Sequence, residues 1–108
     1  IARGKYCAFL DSDDLLDKST LSELYHYAEK NKLDMLAFSG YNFDTTHQKI
    51  DNPYWSFSYL PKNWRKTVFT YKDCLSFMHR MAVSSCLTMY RKDFIDKLAR
   101  KYNTYLTK

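Results

Sequence analysis

A short apolar run, Tyr6-Cys7-Ala8-Phe9-Leu10, leads directly into Asp11-Ser12-Asp13-Asp14, and an amphipathic stretch begins a few residues later. Five mostly apolar residues bounded by Gly4 and by a carboxylate turn read as a buried strand. Thr20 and Glu23 stand at capping-box spacing, and Leu21, Leu24, Tyr25 and Ala28 recur at i, i+3, i+4 and i+7, which predicts a helix over about Lys18 to Lys30. Asn31-Lys32 breaks that pattern. Leu33 to Phe43, carrying Met35, Leu36, Ala37, Phe38, Tyr41 and Phe43, then reads as a second strand with Gly40 as a bulge. This order constrains the chain to an α/β fold built on a β-α-β unit, with parallel strands and a right-handed crossover. Open α/β sheets place ligands at the carboxyl ends of their strands, where this chain has its acidic turn.

Asp11, Asp13 and Asp14 have two readings. A solvated turn whose carboxylates cap the next helix is the plainer one, but Asp17 lies closer to that helix start and is free for the task. Three clustered carboxylates then repel one another unless a cation joins them. Carboxylate oxygens are hard ligands suited to Mg²⁺ or Mn²⁺, ions usually held by one or two carboxylates together with substrate phosphates.

The stretch from Ala2 through Leu16, with G-K-Y-x-x-F-L-D-S-D-D at its centre, resembles the middle of a family 2 GT-A glycosyltransferase. Leu21, Leu24, Ala28 and Asp34-Met35-Leu36 continue the resemblance, which covers about the first 40 residues. It implies a partial GT-A three-layer sandwich, an incomplete mixed sheet flanked by helices. It also implies that a D-x-D signature at a strand end holds a divalent metal, Mn²⁺ or Mg²⁺, against the diphosphate of a nucleotide sugar. Asp13 would be the main metal ligand, Asp11 would assist it or reach the nucleotide ribose, and Asp14 would stand near the sugar. The partners implied are a nucleotide-diphosphate sugar donor and a glycan or lipid-linked acceptor, as in polysaccharide or cell-surface glycan synthesis. In such proteins the strands that bind the nucleotide precede this point and an acidic catalytic base follows it. Asp93 and Asp96 do not match the base motif, so the base is expected beyond Lys108, and the isolated chain is expected to turn over little or no donor.

At 108 residues the chain suits one domain, residues 1–108, and is short for a complete transferase of that kind, so a fragment is expected. From Asp44 to Phe69 it is polar and aromatic, with turns marked by Asp51-Asn52, Pro53 and Pro61, and reads as a loop or irregular hairpin. Trp55 and Trp64 in that stretch are candidates to line an acceptor pocket, although most of its aromatics suit packing of the loop on itself. Thr70 and Asp73 again have capping-box spacing, opening a helix to about Arg80. Ser84 to Tyr90 is a third strand, and Lys92 to Tyr102 a final helix with Ile95, Leu98, Ala99 and Tyr102 on one face. Arg91 and Lys92 suit a surface helix start, Arg3 and Lys5 lie at the far end of the first strand from the acidic turn, and His26 suits a surface position.

Seventeen Lys and Arg against twelve Asp and Glu give a net charge of +5, which favours anionic partners. A basic non-catalytic binding module is one alternative, but no RNP aromatic pair or GXXG loop accompanies the charge, so no nucleic-acid partner is expected. A phosphatase of the haloacid dehalogenase type is another, with Asp11 attacking phosphorus and Asp13 as acid and base. Leu15 stands where that family usually has Thr or Val. Cys7, Cys74 and Cys86 have no metal or disulfide spacing, which points to a reducing cytoplasm, and no apolar run here is long enough to span a membrane, which leaves the inner face of the membrane open for the parent protein. A sheet cut from a larger one exposes its edges, so homo-oligomer formation through those edges is expected.

Overall fold

A computed structural model describes residues 2–46, 48–52, 63, 67–75 and 85–106. Its elements in chain order are strand β1 (Tyr6–Ala8), helix α1 (Thr20–Asn31), and strands β2 (Met35–Ala37), β3 (Asn42–Phe43) and β4 (Lys49–Ile50). A short helix α2 (Tyr71–Cys74), a 3₁₀ turn (Ser85–Leu87), strand β5 (Thr88–Arg91) and helix α3 (Lys92–Leu106) follow. The result is the expected α/β chain with a partial sheet and helices.

Three strands form the main sheet in the order β1-β5-β2. β5 pairs antiparallel with both neighbours, Ala8↔Met89 on one side and Leu36↔Met89 on the other. The strands of the β-α-β unit therefore run parallel, as expected, but β5 lies between them. Backbone bonds extend the ladder at both ends: Lys92 N donates to Lys5 O at 2.8 Å, Arg91 N to Asp34 O at 2.8 Å, and Phe38 N to Leu87 O at 2.9 Å. Met89, flanked on both sides, is buried, and Ala28 on the inner face of α1 is the other buried apolar residue among those described.

Several boundaries differ from the sequence reading. The first strand stops at Ala8, and Phe9 and Leu10 are each 50% exposed, because only β5 flanks β1 among the described residues. The second strand is three residues rather than eleven. Its ladder ends where Ala37 meets Thr88, the first residue of β5, and Asn42–Phe43 turns away to pair with Lys49–Ile50. Gly40 lies between the two strands rather than in a bulge; a Cβ there would come within 3.0 Å of Leu87 Cδ2. The third strand begins at Thr88, with Ser85–Leu87 in the preceding 3₁₀ turn.

Helix α1 begins at Thr20, one residue earlier than a Thr20–Glu23 capping box implies. Ser19 is the N-cap, and its Oγ donates to Glu23 Oε1 at 2.6 Å, so Glu23 bonds Ser19 rather than Thr20. The helix ends at Lys32, which takes a left-handed conformation at φ 52°, and Leu33 N donates to Ala28 O at 3.0 Å. The Thr70–Asp73 pair does form as expected: Asp73 Oδ2 accepts from Thr70 N at 2.8 Å and from Thr70 Oγ1 at 3.0 Å. The expected continuation of that helix to Arg80, and Trp55, Trp64 and His79, lie outside the described residues.

Side chains at the end of β1 remote from the acidic turn lock the sheet to α1. Glu29 Oε1 accepts from Tyr6 OH and from Lys5 Nζ, each at 2.7 Å, and Tyr6 meets Tyr25 edge-on with ring centroids 5.9 Å apart. The Lys5 ammonium and then the Tyr6 hydroxyl hold the Glu29 carboxyl below its usual range. Arg91 pairs with Asp34 and Asp93, and Lys92 with Asp96, which places all five in structural ion pairs, as the surface reading of Arg91 and Lys92 implies. Lys5 is committed to Glu29, far from the carboxylates after β1, and His26 is exposed.

Candidate functional site

The chain leaves β1 through Phe9 and Leu10 and turns tightly, with Asp14 N donating to Asp11 O at 3.1 Å. That turn folds the acidic residues back over the carboxyl end of the sheet. A cleft of about 680 Å³ opens there. Its walls are the turn (Asp11, Asp13, Asp14), the segment leading to α1 (Leu15 to Asp17), the stretch from Phe38 to Phe43, and Lys49, Cys86 and Leu87. Three separate parts of the sequence thus converge on the acidic turn, and β5 is the reason: lying between β1 and β2, it delivers its preceding 3₁₀ turn to the same edge.

Within the cleft, one carboxylate oxygen each of Asp11 and Asp14 and the Cys86 thiol lie within 4.8 Å of one another. Asp13 lines the same cleft outside this group. The donor chemistry suits a hard divalent ion: two carboxylates supply the ligands that Mg²⁺ and Mn²⁺ take, and open solvent leaves positions for water and phosphate oxygens. The Cys86 thiol is a soft donor that such ions do not select, so it borders the site rather than completing it. Both carboxylates are exposed and open to a ligand from solvent.

Asp17 does not cap α1 with its side chain. Its backbone carbonyl accepts from Thr20 N at 3.0 Å, while its carboxylate pairs with Lys49 Nζ at 2.8 Å. The helix-capping alternative for the acidic turn therefore loses its competitor, yet Ser19 rather than any aspartate occupies the cap position.

A family model described as Glycosyl transferase family 2 matches residues 1–99. The chain belongs to glycosyl transferase family 2. The match spans nearly all of the chain, well beyond the 40 residues that carry the resemblance by inspection, and so takes in the β3–β4 hairpin and β5. No curated protein and no solved structure matches the chain. Membership makes the chain's activity class glycosyl transfer, and family 2 glycosyltransferases in general bind a nucleotide-sugar donor and an acceptor. It disfavours the phosphatase and binding-module alternatives, which rested on the same aspartates and on net charge.

Two residues of this site carry no signal in a linear reading. Cys86 reaches Asp11 and Asp14 only through the insertion of β5, across more than 70 residues of chain. Lys49 sits in a stretch that reads as irregular loop, and only the short β3–β4 hairpin brings it to the cleft. Among the described residues Cys7 and Cys86 form no disulfide.

Proposed function

We propose that this chain contributes the metal-binding half of a nucleotide-sugar-dependent glycosyltransferase site, with Mn²⁺ or Mg²⁺ held by Asp13 and Asp11 and with Asp14 facing the donor sugar. The observation that carries this reading is the convergence of Asp11, Asp13 and Asp14 on one solvent-open cleft in a family 2 chain, with the Asp11 and Asp14 carboxylates within 4.8 Å of each other and Asp13 lining the same cleft. A divalent ion bound there would offset the charge of a departing nucleoside diphosphate. The residues of the chain do the rest by position. The tight Asp11–Asp14 turn presents the carboxylates together on the cleft wall, beside the apolar side chains of Leu10, Leu15 and Leu16.

The acceptor is a glycan or lipid-linked hydroxyl, and the setting is the cytoplasmic side of the membrane in polysaccharide or cell-surface glycan synthesis. Among the described residues no helix is long and apolar enough to cross a membrane. β1 and β2 are the outer strands of the described sheet, and their edges support self-association of the chain.

A Mn²⁺ titration of the ¹⁵N-labelled chain, with and without uridine diphosphate, tests the site. Paramagnetic broadening centred on residues 11–14, reaching Cys86 and lost in Asp13→Ala or Asp11→Ala, is the expected result. Broadening spread evenly over the surface carboxylates, or unchanged by both substitutions, would sink the metal assignment.

A further inference from the structure

Among the described residues the cleft is walled by four carboxylates, Asp11, Asp13, Asp14 and Asp17, and by a single cationic side chain, Lys49. A phosphate-bearing ligand approaching this wall meets net negative charge, and one divalent ion offsets only part of it. The cleft therefore needs a second cation facing the ligand, and Lys49 is the residue in place.

Its placement is built rather than incidental. Asp44 Oδ1 gathers the turn between β3 and β4 by accepting from Thr46 N at 2.9 Å, Thr46 Oγ1 at 2.6 Å and Gln48 N at 3.1 Å. The hydroxyl of Thr46 and then the amide of Gln48 hold the Asp44 carboxyl below its usual range. That turn sets Lys49 opposite Phe43 in the hairpin, with Nζ 5.7 Å from the centre of the Tyr41 ring and 2.8 Å from Asp17 Oδ2. The Lys49 and Asp17 side chains are 59% and 70% exposed, and ion pairs so exposed hold weakly and exchange partners readily.

We propose that Lys49 is an anion-contacting residue of the cleft, which leaves Asp17 for a phosphate oxygen of the bound diphosphate while Asp17 serves as its resting counter-ion. The inference rests on the metal-assisted reading above. The Lys49 ammonium also lies 5.7 Å from the centre of the Tyr41 ring, so the exchange moves an ammonium group at the cleft wall rather than the hairpin.

The opposing account is a strap: the Lys49–Asp17 pair merely pins the hairpin to the segment before α1. The two accounts differ in sign at Asp17. Inorganic pyrophosphate, titrated calorimetrically into the chain with saturating Mn²⁺ and again in EDTA, separates them. Lys49→Met should bind pyrophosphate about ten-fold more weakly, the size of one charge-assisted hydrogen bond at an accessible site. Lys49→Arg should recover most of the affinity. Asp17→Asn, which removes the competing carboxylate, should bind more tightly than the wild type.

Equal weakening by Lys49→Met and Asp17→Asn would establish the strap and overturn the proposal, as would no change in Lys49→Met or no pyrophosphate binding by the wild type in either medium. Mn²⁺ titrated alone keeps the two ideas apart. Loss of Mn²⁺ binding with a persisting Lys49 effect in EDTA would refute the metal site and support the lysine; intact Mn²⁺ binding with no Lys49 effect would do the reverse. Circular dichroism of each variant checks that the fold is retained.

Discussion

Met89→Ala probes whether β5 is the centre of this fold. Met89 is 5% exposed, with Ala8 beside it on one neighbouring strand and Leu36 on the other, and Ala28 is the only other buried apolar residue among those described. Truncating a buried Met to Ala costs about 2–5 kcal/mol, from lost transfer energy plus the cavity that remains. A sheet covered as lightly as this one can partly collapse onto the vacancy, so the lower end, about 2–3 kcal/mol, applies. With a urea slope of about 1–1.5 kcal/mol/M for a chain of this size, the unfolding midpoint should fall by about 2 M. Urea titration followed by far-ultraviolet circular dichroism reads this directly. Met89→Leu, which conserves volume, should cost less than about 1.5 kcal/mol. A midpoint change under about 0.5 M for Met89→Ala, at unchanged slope, would refute the reasoning, because it would mean that β5 is not held between β1 and β2.

The Glu29 carboxyl is held low by Lys5 and Tyr6, so its contribution to stability is present above the ordinary carboxylate pKa of 4.5 and is lost as pH falls through the lower folded value. Wild type and Glu29→Gln should accordingly differ in thermal midpoint at pH 7 and converge in acid below pH 4.5; a gap independent of pH would show that the ion pair contributes nothing. Lys32 closes α1 at φ 52°, a conformation glycine adopts without strain, so Lys32→Gly should raise stability by about 0.5–1 kcal/mol in chemical denaturation, and a loss would mean that the lysine side chain contributes contacts of its own.

Much of the local order was legible before folding. The 3.6-residue repeat of Leu21, Leu24, Tyr25 and Ala28 located α1 within two residues, and the Thr70–Asp73 spacing located a cap that forms. Both are local effects, decided by side chains within one or two turns of each other. Strand lengths were not legible, because a strand extends only as far as its neighbour does: β2 ends at Ala37 since β5 begins opposite it. Ser19 rather than Thr20 is the cap partner of Glu23, a choice between adjacent hydroxyl residues that spacing alone does not separate.

The candidate site divides along the same line. Asp11, Asp13 and Asp14 could be read directly, because a strand that ends in carboxylates must present them at the sheet edge whatever else surrounds it. Cys86 and Lys49 could not be read, because their arrival depends on β5 entering between two parallel strands and on a two-residue hairpin ladder set by Asp44. By itself the sequence determined that three carboxylates stand together in the turn after β1. Only the tertiary structure decided which cation and which thiol face that turn, since contacts between residues distant in the chain follow from strand pairing, and pairing is a property of the assembled sheet.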